Sequence, residues 1–338
     1  VTDVQLLDLE EIRKEIQVRQ TQEHQDHAQE VERVYQYVKP LTLAADGLIE
    51  AMTNVDGRFM TGIPELDLMT RGLGTGDLAM FCGRAGSGKT QILLNAIVNN
   101  PLAHVVMFSP DEVSELILAK LTSIKYGINA EEIERKIKQG DDDTTRLVRR
   151  AASHDFRNLI VFDESLTLRQ CTDALKEAQD YWQAEADLAI FDYLELIPIN
   201  GVEGAEGVAA KAQAMKRWTR SAAVPVAVVH QSSRSSGSRG QAAGMNGMRY
   251  GGEAEATFVI EAFRKREDDS LDPFERRRHQ HTLSINLAKN KRPPSKLGCF
   301  DVHLDPNTGS IRTLRDDDSL TVGMPLQSAE QAMKVAMR

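Results

Sequence analysis

Leu78-Ala79-Met80-Phe81-Cys82-Gly83-Arg84-Ala85-Gly86-Ser87-Gly88-Lys89-Thr90 is the stretch on which the reading of this chain turns. An apolar run enters a complete GxxxxGK[ST] loop, and the loop opens into QILLNAIV, whose apolar spacing is helical. Glycines let backbone N–H groups turn inward around phosphate oxygens, and the helix that follows presents its positive N-terminus to the same charge. Gly83, Arg84, Ala85, Gly86, Ser87, Gly88, Lys89, Thr90 and Gln91 are therefore expected to hold a nucleotide. Lys89 would reach the β- and γ-phosphates, and the Thr90 hydroxyl would ligate Mg²⁺.

Outward from this loop, short apolar runs alternate with helical patterns, as in an α/β fold with a parallel sheet. The runs are 78–82, 104–108, 159–162, 188–191, 225–229, 256–263, 282–288 and 299–304. Helical patterns cover 90–99, 113–125, 130–139, 143–152, 167–185 and 207–221. The last runs follow one another without helices, which predicts a mostly parallel sheet finished by an antiparallel extension. Residues 4–38 carry apolar positions at Leu6, Leu9, Ile12, Ile16, Val31, Val34 and Val38, an amphipathic helical arm that needs a surface to cover it. The expected division is an arm over 1–57, a nucleotide-binding domain over 58–314 and an acidic, then helix-like tail over 315–338.

Several strands end in polar residues where a parallel sheet puts its chemistry. LAIFD ends in Asp192, a candidate to hold Mg²⁺ with Thr90, and LIVFD ends in Asp163 with the same local form. The partner carboxylate of a phosphate loop is expected on the neighbouring strand, which leaves the choice between them open. HVVMF ends in Ser109-Pro110-Asp111-Glu112, which offers a general base for the attacking water or, equally, favourable charge at the next helix start. PVAVV runs into His230-Gln231, where Gln231 could sense the γ-phosphate. A long Gly/Ser-rich stretch follows, with Arg234, Arg239 and Arg249, and residues 211–249 hold seven Lys/Arg and no Asp or Glu. Such a segment suits an anion. Lys289-Asn290-Lys291-Arg292 is a second basic cluster at a strand end, fit for nucleic acid or for a neighbouring subunit's nucleotide site. His279 and His281 are expected on one strand face, without a third ligand for a metal.

At 338 residues, with 41% hydrophobic and 27% charged positions, the chain is an ordinary globular protein rather than a disordered or fibrous one. Cys82, Cys171 and Cys299 form no CxxC pair, which argues against a disulfide framework and a zinc ribbon. No apolar run is long enough to span a membrane, and the acidic N-terminus is unlike a secretory signal, so a cytoplasmic protein is expected. Val1 in place of Met suggests a processed start or an alternative initiation codon. A net charge of −9 speaks against nucleic acid only as an average. Residues 211–296 hold 17 Lys/Arg and 8 Asp/Glu, whereas residues 1–56 hold 5 and 12.

In this order and spacing the motifs resemble the RecA-like ATPase domain of DnaB-type replicative helicases, over about residues 58–314. TGIPELDLMTRGLGTGDLAMFCGRAGSGKT is similar to that family's approach to its phosphate loop, and VVMFSPDE to its FSLE strand. AIFDYLELI resembles IDYLQL, VPVAVVHQSSR resembles VPVVALSQLNR, and INLAKNKRPPSKLG resembles the KxRxGPxG ending.

The resemblance implies a homohexameric ring with ATP and Mg²⁺ at its subunit interfaces, moving 5′ to 3′ along single-stranded DNA and unwinding duplex. Primase and a helicase loader are the further partners it allows, with no role for a membrane. It gives Asp192 the carboxylate role over Asp163 and Gln231 the γ-phosphate sensor. The base is split: Asp111 has the family's position, Glu112 its residue type, and Glu112 is preferred. Arg292, beside Lys289, is the expected finger into the next subunit, with Lys291 the alternative at the family's arginine spacing. Channel loops are expected near 199–211 and 232–252, giving Lys211, Arg234, Arg239 and Arg249 to DNA. The primase-binding N-terminal domain of the family is expected to be missing, with residues 4–38 serving as the helix that docks on a neighbour. Two other readings use the same nucleotide site: a recombinase-like filament on single strands, and a regulatory or loader ATPase that does not translocate.

Overall fold

Strands buried on both faces need unbroken apolar sequence, and LAMFC, VVMF, LAIF and VAVV supply it. The computed structural model describes residues 57–199, 204–231, 240–242 and 252–315, with Leu41, Ala45, Ile49 and Asp318. Two compact units divide the chain, residues 1–57 and 58–338. The amphipathic pattern at 4–38, most of the tail and most of the Gly/Ser-rich stretch lie outside the described residues.

The second unit runs α1 (Pro64–Thr70), β1 (Leu78–Gly83), α2 (Lys89–Asn99), β2 (Val105–Phe108), α3 (Ser114–Tyr126), α4 (Ala130–Lys138) and α5 (Asp142–Arg150). It continues with β3 (Leu159–Phe162), α6 (Leu168–Trp182), β4 (Leu188–Phe191), α7 (Gly204–Ala222), β5 (Val226–Gln231) and β6 (Phe258–Phe263). α8 (Pro273–Arg278), β7 (Thr282–Asn290), β8 (Gly298–Leu304) and β9 (Ile311–Thr313) complete it. The described strands form one sheet in the order β3-β2-β4-β5-β1-β6-β7-β8-β9. From β3 to β6 every pairing is parallel, and β7, β8 and β9 add on antiparallel. The antiparallel ending is the one expected, although the short α8 lies between β6 and β7, where the sequence suggested no helix.

Alternation along β1 feeds two cores. Ala79 and Phe81 pack with Ile92 and Leu93 of α2 and Ile117 of α3. Leu78, Met80 and Cys82 face the opposite layer, with Leu175 of α6 and Met215 and Trp218 of α7. There the Trp218 ring meets Phe191 edge-on at 5.1 Å, and its Nε1–H donates to Thr172 Oγ1 at 2.9 Å, fastening α7 to α6. Local signals set the helix ends. Thr167 and Gln170 make a reciprocal capping box at the start of α6, and Gly127 ends α3 in a left-handed conformation.

Three short elements, α1, α8 and β9, have no counterpart in the apolar spacing, because so few residues carry no readable period. α5 continues into a π-helical turn at Ala151–Asp155. The expected strand face at His279 and His281 is corrected. His279 closes α8, His281 lies in a turn, and β7 begins at Thr282. No cluster of His, Cys, Asp or Glu able to hold a metal is found among the described residues.

Candidate active site

β1 delivers the chain to Gly83 at the carboxyl edge of the parallel strands, and α2 leaves from Gly88. A side chain at Gly83, φ +153°, would meet the Ala262 carbonyl oxygen and Ser87 Oγ, so only glycine lets β6 and the loop close on each other here. The first turn of α2 contains no acidic residue, which leaves its N-terminal charge uncancelled. Ser87 is buried, and its Oγ has no hydrogen-bond partner.

Lys89 is 7% exposed and its Nζ donates to the Arg84 carbonyl at 2.8 Å. Burial lowers its titration point and the Asp192 carboxylate opposes that shift. Thr90 Oγ1 donates to Oδ2 of Asp192 at 2.7 Å. β5 intervenes between β1 and β4, so the strand carrying this carboxylate is not the loop's immediate neighbour, as the sequence suggested, but the next one. Asp192 is 5% exposed. Burial raises its carboxyl above the ordinary 3.8; the Thr90 bond and Lys89 work against the rise, while Glu112 and, more weakly, Asp111 add to it. Asp163 ends the outermost strand, β3, and accepts the N–H of Ser114 at 2.9 Å, a bond that lowers its carboxyl.

β2 lies beside β4, with Phe108 opposite Phe191, and this brings Asp111 and Glu112 to the same edge as Asp192. Asp111 is exposed. Glu112 is half-buried: Oε1 pairs with Lys120 of α3, and Oε2 is buried without a partner. Gln231 ends β5 directly opposite Gly83, with its side chain exposed. The Gln91 side chain turns from the loop to the β8–β9 connection, donating to Gly309 O at 2.7 Å.

The basic cluster stands at the other edge. β7 runs antiparallel, and Asn290 lies opposite Phe258, which in turn lies opposite Ala79 near the start of β1. Lys289 Nζ donates to the carbonyls of Glu253 and Ala254, and Lys291 Nζ to Ala254 at 2.8 Å while its side chain stays exposed. Arg292 instead forms an ion pair with Asp77 and lies 5.7 Å from the Phe258 ring centre. Burial lowers its titration point and Asp77 opposes that. Lys211 Nζ donates to the Glu195 carbonyl. Arg234, Arg239 and Arg249 lie outside the described residues. The sequence offered no signal for Lys120 as partner of Glu112, or for Asp77 as partner of Arg292, because neither pair follows a local spacing.

The chemistry of the loop suits a nucleotide triphosphate with Mg²⁺: an uncancelled helix N-terminus, a buried ammonium, an unpartnered buried hydroxyl, and a threonine hydroxyl against a buried carboxylate. Among the described residues no helix is long and apolar enough to cross a membrane. The fold is shared with the ATPase domain of G40P, at 18% identity and a TM-score of 0.70, over 82% of this chain and 100% of that one. It is also shared with a DnaB-like replicative helicase whose structure was described with its interactions with primase, at 18% identity and a TM-score of 0.67, over 91% of this chain and 75% of that one. The family model for the DnaB-like helicase C terminal domain matches residues 59–305, and with the loop, the carboxylate and the sheet order above, the chain belongs to that family.

Proposed function

We propose that this chain is the subunit of a hexameric, ATP-driven DNA helicase that moves 5′ to 3′ along a single strand, in the cytoplasm, with primase and a loader as further partners. One observation carries the reading. The nucleotide groups stand at the carboxyl edge of the parallel strands, and Lys289, Lys291 and Arg292 stand at the opposite edge. Those cations therefore serve a site only when a second copy brings its far edge to the first copy's loop. The exposed Lys291 suits that role better than Arg292, which its own Asp77 engages, and Lys289 lies beside it.

Bound Mg²⁺-ATP supplies a reactive phosphoanhydride and a cation that neutralises its charge. Lys89 and the loop N–H groups would hold the phosphates, and Thr90 and Asp192 would hold the metal. Glu112 takes the proton of the attacking water at Oε2, its unpartnered oxygen, while Lys120 fixes the carboxylate through Oε1. The Gln231 amide, opposite Gly83, orients the terminal phosphate. Lys211, Arg234, Arg239 and Arg249 meet the strand's phosphates without reading its bases. Residues 1–57 are the arm that docks on a neighbour.

Unwinding of a forked duplex by the full chain tests this reading, with Lys89→Ala as control. Loss of both hydrolysis and unwinding is expected, and a variant that still unwinds overturns it. Electron microscopy with a non-hydrolysable ATP analogue separates a ring from a filament. Single-stranded tails of either polarity test direction, and hydrolysis indifferent to DNA would favour a regulatory ATPase.

A further inference from the structure

Glu195 lies just beyond Asp192, in the 3-10 turn Leu194–Leu196, and hydrolysis as derived above does not use it. The buried side chains of Leu194 and Ile197 seat this turn in the core. From there Glu195 bonds to two other elements. Its Oε1 accepts the backbone N–H of Gln231 at 3.0 Å and lies 2.7 Å from Nδ1 of His230. Its own carbonyl accepts the Lys211 ammonium from α7.

What each partner leads into gives these bonds their meaning. Gln231 is the last residue of β5, and the Gly/Ser-rich segment that carries Arg234, Arg239 and Arg249 follows at once. Lys211 stands early in α7, the helix entered from residues 200–203. One side chain and its carbonyl thus tie the roots of both strand-gripping segments to the strand end that bears Asp192. The second carboxylate oxygen, Oε2, is buried without a partner. Stability alone gives no reason to keep such an atom where a smaller acceptor would serve.

We infer that Glu195 is a positioning residue that couples the nucleotide site to the strand-binding segments, an inference that rests on the helicase reading above. A displacement of the Asp192 strand end moves the Gln231 backbone and the Lys211 side chain together. The reverse holds as well, because coupling between two binding sites is reciprocal. The Glu195 side chain acts through the backbone of Gln231, its main-chain carbonyl holds Lys211 whatever the side chain, and neither touches a reacting atom.

The test uses the full chain, Mg²⁺-ATP and oligo-dT. Steady-state hydrolysis is measured with and without the strand in wild type, Glu195→Ala, Glu195→Asp and Glu195→Gln. In the Ala and Asp variants, strand-stimulated kcat is expected to fall about tenfold, within the range typical of coupling between sites. Hydrolysis without the strand, and KM for ATP, should stay within about twofold of wild type. Gln keeps an acceptor oxygen at the same reach, so Glu195→Gln should retain most of the stimulation. Asp keeps the charge but is one methylene too short, and it carries the test if Ala fails to fold. An equal fall with and without the strand, or full stimulation in both Ala and Asp, overturns the inference alone. A wild-type chain that dT does not stimulate overturns the helicase reading itself.

Discussion

Oγ1 of Thr90 donates to Oδ2 of Asp192 across 2.7 Å, joining the first turn of α2 to the end of β4 over the strand between them. Asp192 sits almost out of solvent, and burial raises its carboxyl above 3.8. The folded chain then binds this proton more tightly than the unfolded chain does. The stability tied to it is present below the ordinary carboxylate range and is lost as pH rises through the raised value. At neutral pH the carboxylate is a standing cost to the apo fold. Asp192→Asn, whose amide oxygen can still accept from Thr90, should melt higher than wild type near pH 7 without nucleotide. It should lose that advantage near pH 4, and scanning fluorimetry across pH reads the difference. Hydrolysis should drop at least about a hundredfold.

Glu112 and Asp111 separate on the same logic of surroundings. Glu112→Gln should lower kcat by roughly 10²–10⁴, the range for a general base, with little change in nucleotide binding. Asp111→Asn, at an exposed position, should cost less than about fivefold. The reverse ranking in steady-state assays would move the base to Asp111.

Arg292 and Lys291 should fail in different ways. Arg292→Ala leaves the buried Asp77 without its ion-pair partner. It should destabilise the fold by about 2 kcal/mol, below the range for a fully buried pair because Arg292 keeps some exposure. Lys291→Ala should leave the melting temperature alone and abolish hydrolysis. Mixing it with Lys89→Ala should restore part of the activity, since each variant keeps the edge the other lacks. No recovery on mixing would remove Lys291 from the neighbour's site.

Strand binding should show its electrostatic origin in salt. Replacing Arg234, Arg239 and Arg249 together by Ala should weaken oligo-dT binding equally across sequences. It should also flatten the plot of log affinity against log salt by about 0.7 for each phosphate contact removed. Anisotropy titrations at several salt concentrations measure both, and an unchanged slope would send the strand elsewhere.

Much of this architecture is legible in the chain because its signals are local. Apolar runs mark the strands, and the glycines and Lys89-Thr90 announce the phosphate loop. Asp163 and Asp192 are the limit of such reading. Both end a short apolar strand, and only the sheet order puts one beside the loop's threonine and the other on the rim. Arg292 and Asp77 lie 215 positions apart, and no spacing rule links them. His279 and His281 misled because alternation in a short polar stretch looks like a strand face, whereas Asp272 caps a helix there that reaches His279.

The separation of loop and basic cluster onto opposite edges of one sheet also restricts symmetry. A two-fold dimer would join loop to basic cluster reciprocally, twice over, and stop at two copies. A heterologous, head-to-tail contact would join unlike edges once per interface, and it repeats until the rotation closes a ring or a helix grows without end. Every subunit in such an array donates to one neighbour and receives from the other, so a single defective edge silences one interface and leaves the rest intact.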